Sequence, residues 1–312
     1  MNIKNYNNLI DYFKGTLIIS VFLGHLIVGN INNNFIRYFI YSFHMPLFVG
    51  ISGYLFNYNF LNNSPKNFIN KLFKKIIVPY ILANIIYSGL ININFLFELN
   101  SYKFIFNFIK NIVYSSYHLW YIQGYLSYII ISYVLTKKFK THTIIIFSII
   151  LSLVIYYFYF FYKNNNPILM IFLNNFRLYN LIFFIIGYYI KGKKIDIKLN
   201  NKNWIIFIML FIINSVLGFY MKNQYIVGLF FYISNVFSII FLLKLCEEYP
   251  NFKIDYINFI GNHSLYFYLW HMLPIIILKS KVLDKNIYLY YFLGLISFYL
   301  LYLILKKYFK EN

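Results

Sequence analysis

Long apolar runs recur along the whole chain and alternate with short polar connections. Each run is long enough for an α-helix to cross the hydrocarbon core of a membrane, which takes about 20 residues. The sixth run is short, and its helix is expected to begin earlier, near Ile168. The pattern predicts an all-α, polytopic integral membrane protein with one domain over residues 1–312. Its ten predicted spans lie at residues 12–30, 36–56, 76–93, 119–135, 143–161, 177–190, 204–221, 225–245, 260–278 and 288–305.

Composition supports a membrane protein and assigns its orientation. The chain is 61% hydrophobic and only 12% charged, whereas soluble domains are about a quarter charged. A net charge of +20 would suggest nucleic acid in a soluble protein, but here the lysines stand in short blocks between apolar runs. Of the 28 lysines and arginines, 19 fall on the side of the predicted N-terminus. The positive-inside rule therefore predicts that both termini are cytoplasmic. Because the lysines lie between apolar runs, membrane lipid rather than nucleic acid is the expected partner.

The first span carries the strongest candidate chemistry. Asp11 and Lys14 stand at its entrance, and His25 lies eleven residues beyond Lys14. On a helix those steps make about three turns, so Lys14 and His25 point the same way, roughly 16 Å apart. His44 on the second span is expected at a depth similar to that of His25, and His271 near mid-membrane. Ionisable residues at such depth are costly and are candidates for function, although a neutral histidine bonded to a neighbouring helix is the alternative.

Several motifs occur together in the order of a known family. They lie at residues 11–25, at 43–56 with His44 before Met45-Pro46, at 71–80, at 117–122, at 183–188 and at 260–271. Together they resemble acyltransferase family 3, in particular its fucose 4-O-acetylase-like subset. The resemblance covers nearly the whole chain and implies a multi-pass enzyme of the bacterial plasma membrane. Such an enzyme moves an acyl group, most simply acetyl from cytoplasmic acetyl-CoA, to a hydroxyl of a cell-surface or lipid-linked glycan.

The resemblance and the chemistry of acyl transfer together assign roles to residues. His25 is expected to be the general base, because imidazole titrates near working pH, and His44 to assist it. Lys14, Lys71 and Lys74 are expected to bind the phosphates of the donor. The family usually has arginine at these positions, and lysine keeps the charge but loses the bidentate fork. Residues expected to support the site or contact the acceptor are Asp11, Ser52, Trp120, Arg177, Asn262, Ser264 and His271.

Other classes of function remain open on the sequence alone. A glycan, lipid or small-molecule transporter would share the span count and the polar midplane residues. A metal site of His25, His44 and His271 is disfavoured, because no helix-spaced ligand pair or intramembrane carboxylate accompanies it, so no metal is expected. Ser264 and His271 would lie about 10 Å apart along one helix, too far for a catalytic hydrogen bond. The glycan, the acyl group and the oligomeric state are left open.

Overall fold

A computed structural model describes residues 7–97, 101–115, 118–161, 167–191, 201–221 and 223–311. These residues contain helices and no strand, which confirms the prediction of an all-α protein. In chain order the helices are α1 (Asn8–Leu26), α2 (Phe35–Leu55), α3 (Tyr58–Asn63), α4 (Pro65–Leu72), α5 (Val78–Phe97), α6 (Ser101–Val113), α7 (Trp120–Lys138), α8 (Thr141–Phe161), α9 (Pro167–Phe176), α10 (Leu181–Ile190), α11 (Asn201–Tyr220), α12 (Gln224–Glu248), α13 (Asp255–Asn262), α14 (Ser264–Trp270), α15 (Met272–Lys281) and α16 (Ile287–Glu311).

Each predicted span coincides with a helix or with a series of short helices. Among the described residues, five helices are long and apolar enough to cross a membrane: Asn8–Leu26, Pro65–Ile93, Thr141–Tyr159, Tyr225–Glu248 and Ile287–Lys310. The protein is therefore a multi-pass membrane protein, and the number of ten crossings stays a prediction.

Two predicted spans are interrupted. The ninth consists of α13, α14 and α15, because His263 leaves helical geometry at φ −105° and ψ 24°. The sixth begins with α9, passes through Arg177 in a left-handed conformation and a 3₁₀ turn at Leu178–Asn180, and continues as α10. Neither break has a glycine or proline at the residue that leaves the helix, so hydropathy alone predicted continuous spans.

The helices form two compact units. The first contains Met1–Leu55 and Phe183–Asn312, and the second contains Phe56–Ile182. The prediction of a single domain stays a prediction, and each unit is described by itself.

In the first unit, α1 is the central helix. The side chain of Asn7 caps its start by accepting from the N–H of Ile10 at 3.2 Å. It packs against α2, α12, α13, α14 and α15, so helices from both ends of the chain surround it. At the crossing of α1 and α13, a Cβ on Gly261 would overlap the carbonyl oxygen of Asp11, and one on Gly15 would overlap that of Ile257. Two glycines therefore let the backbones meet beside Asp11.

In the second unit, α5 packs against α6, and α7 packs against α8 and α9. A π-helical stretch, Phe73–Ile77, joins α4 to α5. Pro79 follows it and has no N–H to bond one turn back, which is consistent with the wider turn at this point.

Candidate functional site

Three histidines gather around α1 in the first unit. The imidazole rings of His25 on α1 and His271 between α14 and α15 lie 5.5 Å apart, centroid to centroid. Tyr41 on α2 links His25 to His44: its ring lies 6.0 Å from that of His25 and 5.0 Å from that of His44. His44 and His271 are buried, and His25 is half-buried. The structure thus brings together all three intramembrane histidines that the sequence singled out.

Backbone hydrogen bonds assign the tautomers of two of these histidines. Nδ1 of His44 lies 2.6 Å from the carbonyl oxygen of Ile40, and Nδ1 of His271 lies 3.0 Å from that of Phe267. A carbonyl oxygen only accepts, so each Nδ1 carries the proton. In the neutral imidazoles the lone pair is then on Nε2. Neutral His44 and His271 therefore present hydrogen-bond acceptors, which suits binding of a hydroxyl group rather than of an oxyanion.

The tautomer of His25 depends on Tyr41. Nδ1 of His25 lies 3.3 Å from the Tyr41 hydroxyl, which can donate or accept. If Nδ1–H donates to the tyrosine oxygen, Nε2 of His25 carries the lone pair and can take a proton. Tyr41 was missed in the sequence analysis, although it lies on α2 one turn before His44, a spacing that places both residues on the same face.

Arg37 adds positive charge beside this cluster. Its guanidinium carbon lies 5.6 Å from the centre of the Tyr41 ring, and it donates a hydrogen bond to the carbonyl oxygen of Gly29. Arg37 lies near the start of α2, and no role was predicted for it from the sequence. With the three histidines and Tyr41, it completes what we call the histidine cluster.

The start of α1 holds an ion pair. Nζ of Lys14 lies 2.8 Å from a carboxylate oxygen of Asp11, and 17% of the Lys14 side chain is exposed. Two predicted site residues are therefore partners. Because the carboxylate neutralises part of the lysine charge, a phosphate at Lys14 would compete with Asp11.

The remaining predicted residues of this unit lie on α2, α13 and α14. The Ser52 hydroxyl donates to the carbonyl oxygen of Phe48 at 2.8 Å, as serines inside helices commonly do. Ser264 is buried at the first residue of α14, and Asn262 is exposed at the last residue of α13.

The second unit holds the other predicted residues. Lys71 lies in the last turn of α4, Lys74 lies in the π-helical stretch, and both are exposed. Trp120 begins α7, and the guanidinium carbon of Arg177 lies 3.9 Å from the centre of its indole ring. The structure therefore stacks two predicted residues that are far apart in the sequence.

A metal site of His25, His44 and His271 is the alternative to an arrangement for proton transfer. Among the described residues, no three side chains of histidine, cysteine, aspartate or glutamate are placed to share a metal ion. The cluster is an arrangement of imidazoles with one phenol and one guanidinium, which is suited to proton transfer and hydroxyl binding.

Comparison with known proteins agrees with the motifs. The sequence model of acyltransferase family 3, described as an acyltransferase domain, matches residues 7–306. The chain belongs to this family. The match runs through both structural units, and it confirms the resemblance and the assignment as an acyltransferase.

A curated relative of this acyltransferase is the nodulation protein NolL of Sinorhizobium fredii. The two are 47% identical over 68 residues, which is 20% of this chain and 19% of that protein. The alignment thus spans about a fifth of the relative's length. No solved structure matches the acyltransferase.

Proposed function

We propose that this acyltransferase moves an acyl group, in the simplest case acetyl, from cytoplasmic acyl-CoA to a hydroxyl of a cell-surface or lipid-linked glycan. It would do so as a multi-pass protein of a bacterial plasma membrane. The observation that carries the proposal is the histidine cluster around α1, in a chain whose family transfers acyl groups.

In the proposed reaction, Nε2 of His25 accepts the proton of the acceptor hydroxyl as its oxygen attacks the thioester carbonyl carbon. A bond from oxygen to carbon forms, and the carbonyl becomes an oxyanion. The intermediate collapses, the bond from carbon to sulfur breaks, and the coenzyme A thiolate takes the proton from His25. His44 and His271, with lone pairs on Nε2, accept hydrogen bonds from sugar hydroxyls and hold the acceptor beside His25.

The donor is proposed to enter from the cytoplasmic side. Lys14, Lys71 and Lys74 are the proposed contacts for its phosphates, supported by the predicted orientation and by the exposure of Lys71 and Lys74. In this proposal the Asp11 carboxylate pairs with the Lys14 ammonium in the absence of donor, and a donor phosphate replaces the carboxylate when it binds.

The test is acyl transfer by purified protein with His25 changed. His25→Gln keeps a polar side chain but cannot take a proton, so we expect at least about a hundredfold loss of kcat with a normal fold. His25→Ala should lose as much. The measurement is coenzyme A release together with mass-spectrometric detection of the acylated glycan, with acetyl-CoA as donor.

The matched control is His142→Ala, because His142 is an exposed histidine on α8. It should keep full activity. Wild-type rates in His25→Gln would remove the base role. Uptake of a glycan into vesicles without any coenzyme A release would favour the transporter instead.

A further inference from the structure

Arginine is rare in this chain, and both arginines are stacked. Of the 28 basic residues, 26 are lysines and the others are Arg37 and Arg177. Each guanidinium lies over an aromatic ring, that of Arg177 at 3.9 Å from the centre of Trp120. A planar guanidinium stacks on an aromatic face and keeps its edge free for paired hydrogen bonds, which a lysine ammonium does not do. In this chain the structure places both guanidinium groups over an aromatic ring.

The backbone of Arg177 is held in a strained conformation. Its φ of 41° and ψ of 49° are left-handed, and among the described residues no other non-glycine residue has a positive φ. The hydroxyl of Tyr128 lies 3.1 Å from the carbonyl oxygen of Phe176 and 2.9 Å from that of Arg177. A fully buried tyrosine of α7 thus holds the turn in place. Strain that is maintained by surrounding structure is typical of functional positions.

The charge of Arg177 has no carboxylate partner among the described residues. The ion pairs there are made by Lys14, Lys244 and Lys253. Within residues 56–182 the sequence contains a single acidic residue, Glu98, which lies outside the described residues. A half-buried cation in so basic a unit attracts an anion.

Polar groups beside the guanidinium complete the site. Nε of Arg177 donates to the carbonyl oxygen of Asn174 at 3.3 Å, and the side chain also bonds the hydroxyl of Tyr179. Tyr159 lies next to Tyr179, with ring centroids 5.6 Å apart. The guanidinium is therefore fixed on one face by indole and bordered by phenols, which offer hydroxyl groups and apolar ring surface together.

We propose that Arg177, with Tyr159 and Tyr179 beside it, binds a saccharide that carries an anionic group, either a carboxylate or a phosphate. The inference rests on the proposed function in one respect: the saccharide is taken to be the acceptor glycan or its carrier-linked form. The guanidinium pairs with two oxygens of the anion, and the phenols contact the sugar ring. The acceptor class is then a negatively charged sugar rather than a neutral one.

Binding of small probes to the purified full-length protein tests this site without turnover. The probes are glucuronate, glucose 1-phosphate and glucose, and the readouts are tryptophan fluorescence, because Trp120 adjoins the guanidinium, and calorimetry. At least one of the two anions should bind wild type, more weakly at high salt, whereas glucose should bind no differently in wild type and Arg177 variants. Binding of glucuronate would indicate that the site takes a sugar carboxylate, and binding of glucose 1-phosphate would indicate that it takes a sugar phosphate.

Two Arg177 variants separate binding from folding. Arg177→Gln removes the charge and should weaken anion binding at least tenfold. Arg177→Gly also removes the side chain, but it relieves the left-handed backbone, so it should fold and still lose binding. Lys110→Gln is the matched control, an exposed lysine of the same unit whose loss should leave binding unchanged.

Some outcomes would overturn the proposal. Absence of binding of both anions to wild type at tens of millimolar would do so, and so would wild-type affinity in both Arg177 variants. The site and the proposed function fail separately, because binding is measured in the absence of a donor. If the protein binds glucuronate but releases no coenzyme A, the anion site is supported and the proposed acyl transfer is contradicted. If it releases coenzyme A but binds neither anion, the proposed acyl transfer is supported and the anion site is contradicted.

Discussion

Tyr41 contacts both members of the predicted catalytic pair, His25 and His44. Its hydroxyl lies 3.3 Å from Nδ1 of His25 and can donate a hydrogen bond to that nitrogen or accept one from it. The ring, by contrast, packs against His44 and beneath Arg37. The hydroxyl and the ring of Tyr41 therefore have different contacts, and removing the hydroxyl oxygen alone separates their roles.

Tyr41→Phe removes that oxygen and keeps the ring. We expect kcat to fall about three- to tenfold, the value of one ordinary hydrogen bond, with little change in the acceptor KM. Steady-state kinetics with the acceptor concentration varied measure both kcat and KM. Tyr220→Phe, at an exposed tyrosine on α11, is the control, and equal kinetics in the two variants would leave Tyr41 as a packing residue.

At the scale of elements, α1 carries the ion pair at one end and His25 near the other, and its position depends on close contact with α13. The contact is possible because Gly261 has no side chain to meet the carbonyl oxygen of Asp11. This crossing therefore helps to place the Asp11 end of α1.

Gly261→Ala should push α13 away from α1. Overpacking of this kind costs about 1–3 kcal/mol, so the thermal unfolding temperature of the detergent-solubilised protein should drop. Gly89→Ala is the matched control on α5, since a Cβ there meets nothing within 4 Å. That change should be neutral or stabilising because alanine is the better helix former. Equal unfolding temperatures for the two variants would contradict the tight crossing.

At the scale of the whole molecule, the first unit is assembled from both ends of the chain, with the second unit between them in sequence. The histidine cluster joins His25 to His271, so it forms only after α14 and α15 have been synthesised and have packed against α1. The distribution of lysines predicts the orientation of the molecule in its membrane.

The predicted topology can be tested with single cysteines at Lys194 and Lys222, positions that lie outside the described residues. In a Cys246→Ala background they should react with a membrane-impermeant maleimide from opposite sides, Lys194 from the cytoplasm and Lys222 from outside. Cys246 itself is buried. Labelling of both positions from the same side would contradict the ten-span topology.

Local features of the sequence determined the helical membrane class and the family. Apolar length sets whether a segment spans a membrane, and motif order along the chain identifies a family without reference to contacts. The same local reasoning singled out His25, His44 and His271 as candidate site residues, because an ionisable residue within an apolar run can be recognised from the sequence alone.

Only the tertiary structure decided which groups touch. The pairing of His25 with His271, the bridge made by Tyr41 and the stacking of Arg177 on Trp120 join residues distant in sequence or on different helices. Such contacts depend on the rotation and crossing of packed helices, which hydropathy does not encode. The left-handed turn at Arg177 could not be predicted from the sequence either, because a tyrosine of another helix holds it and no glycine stands at the turn residue.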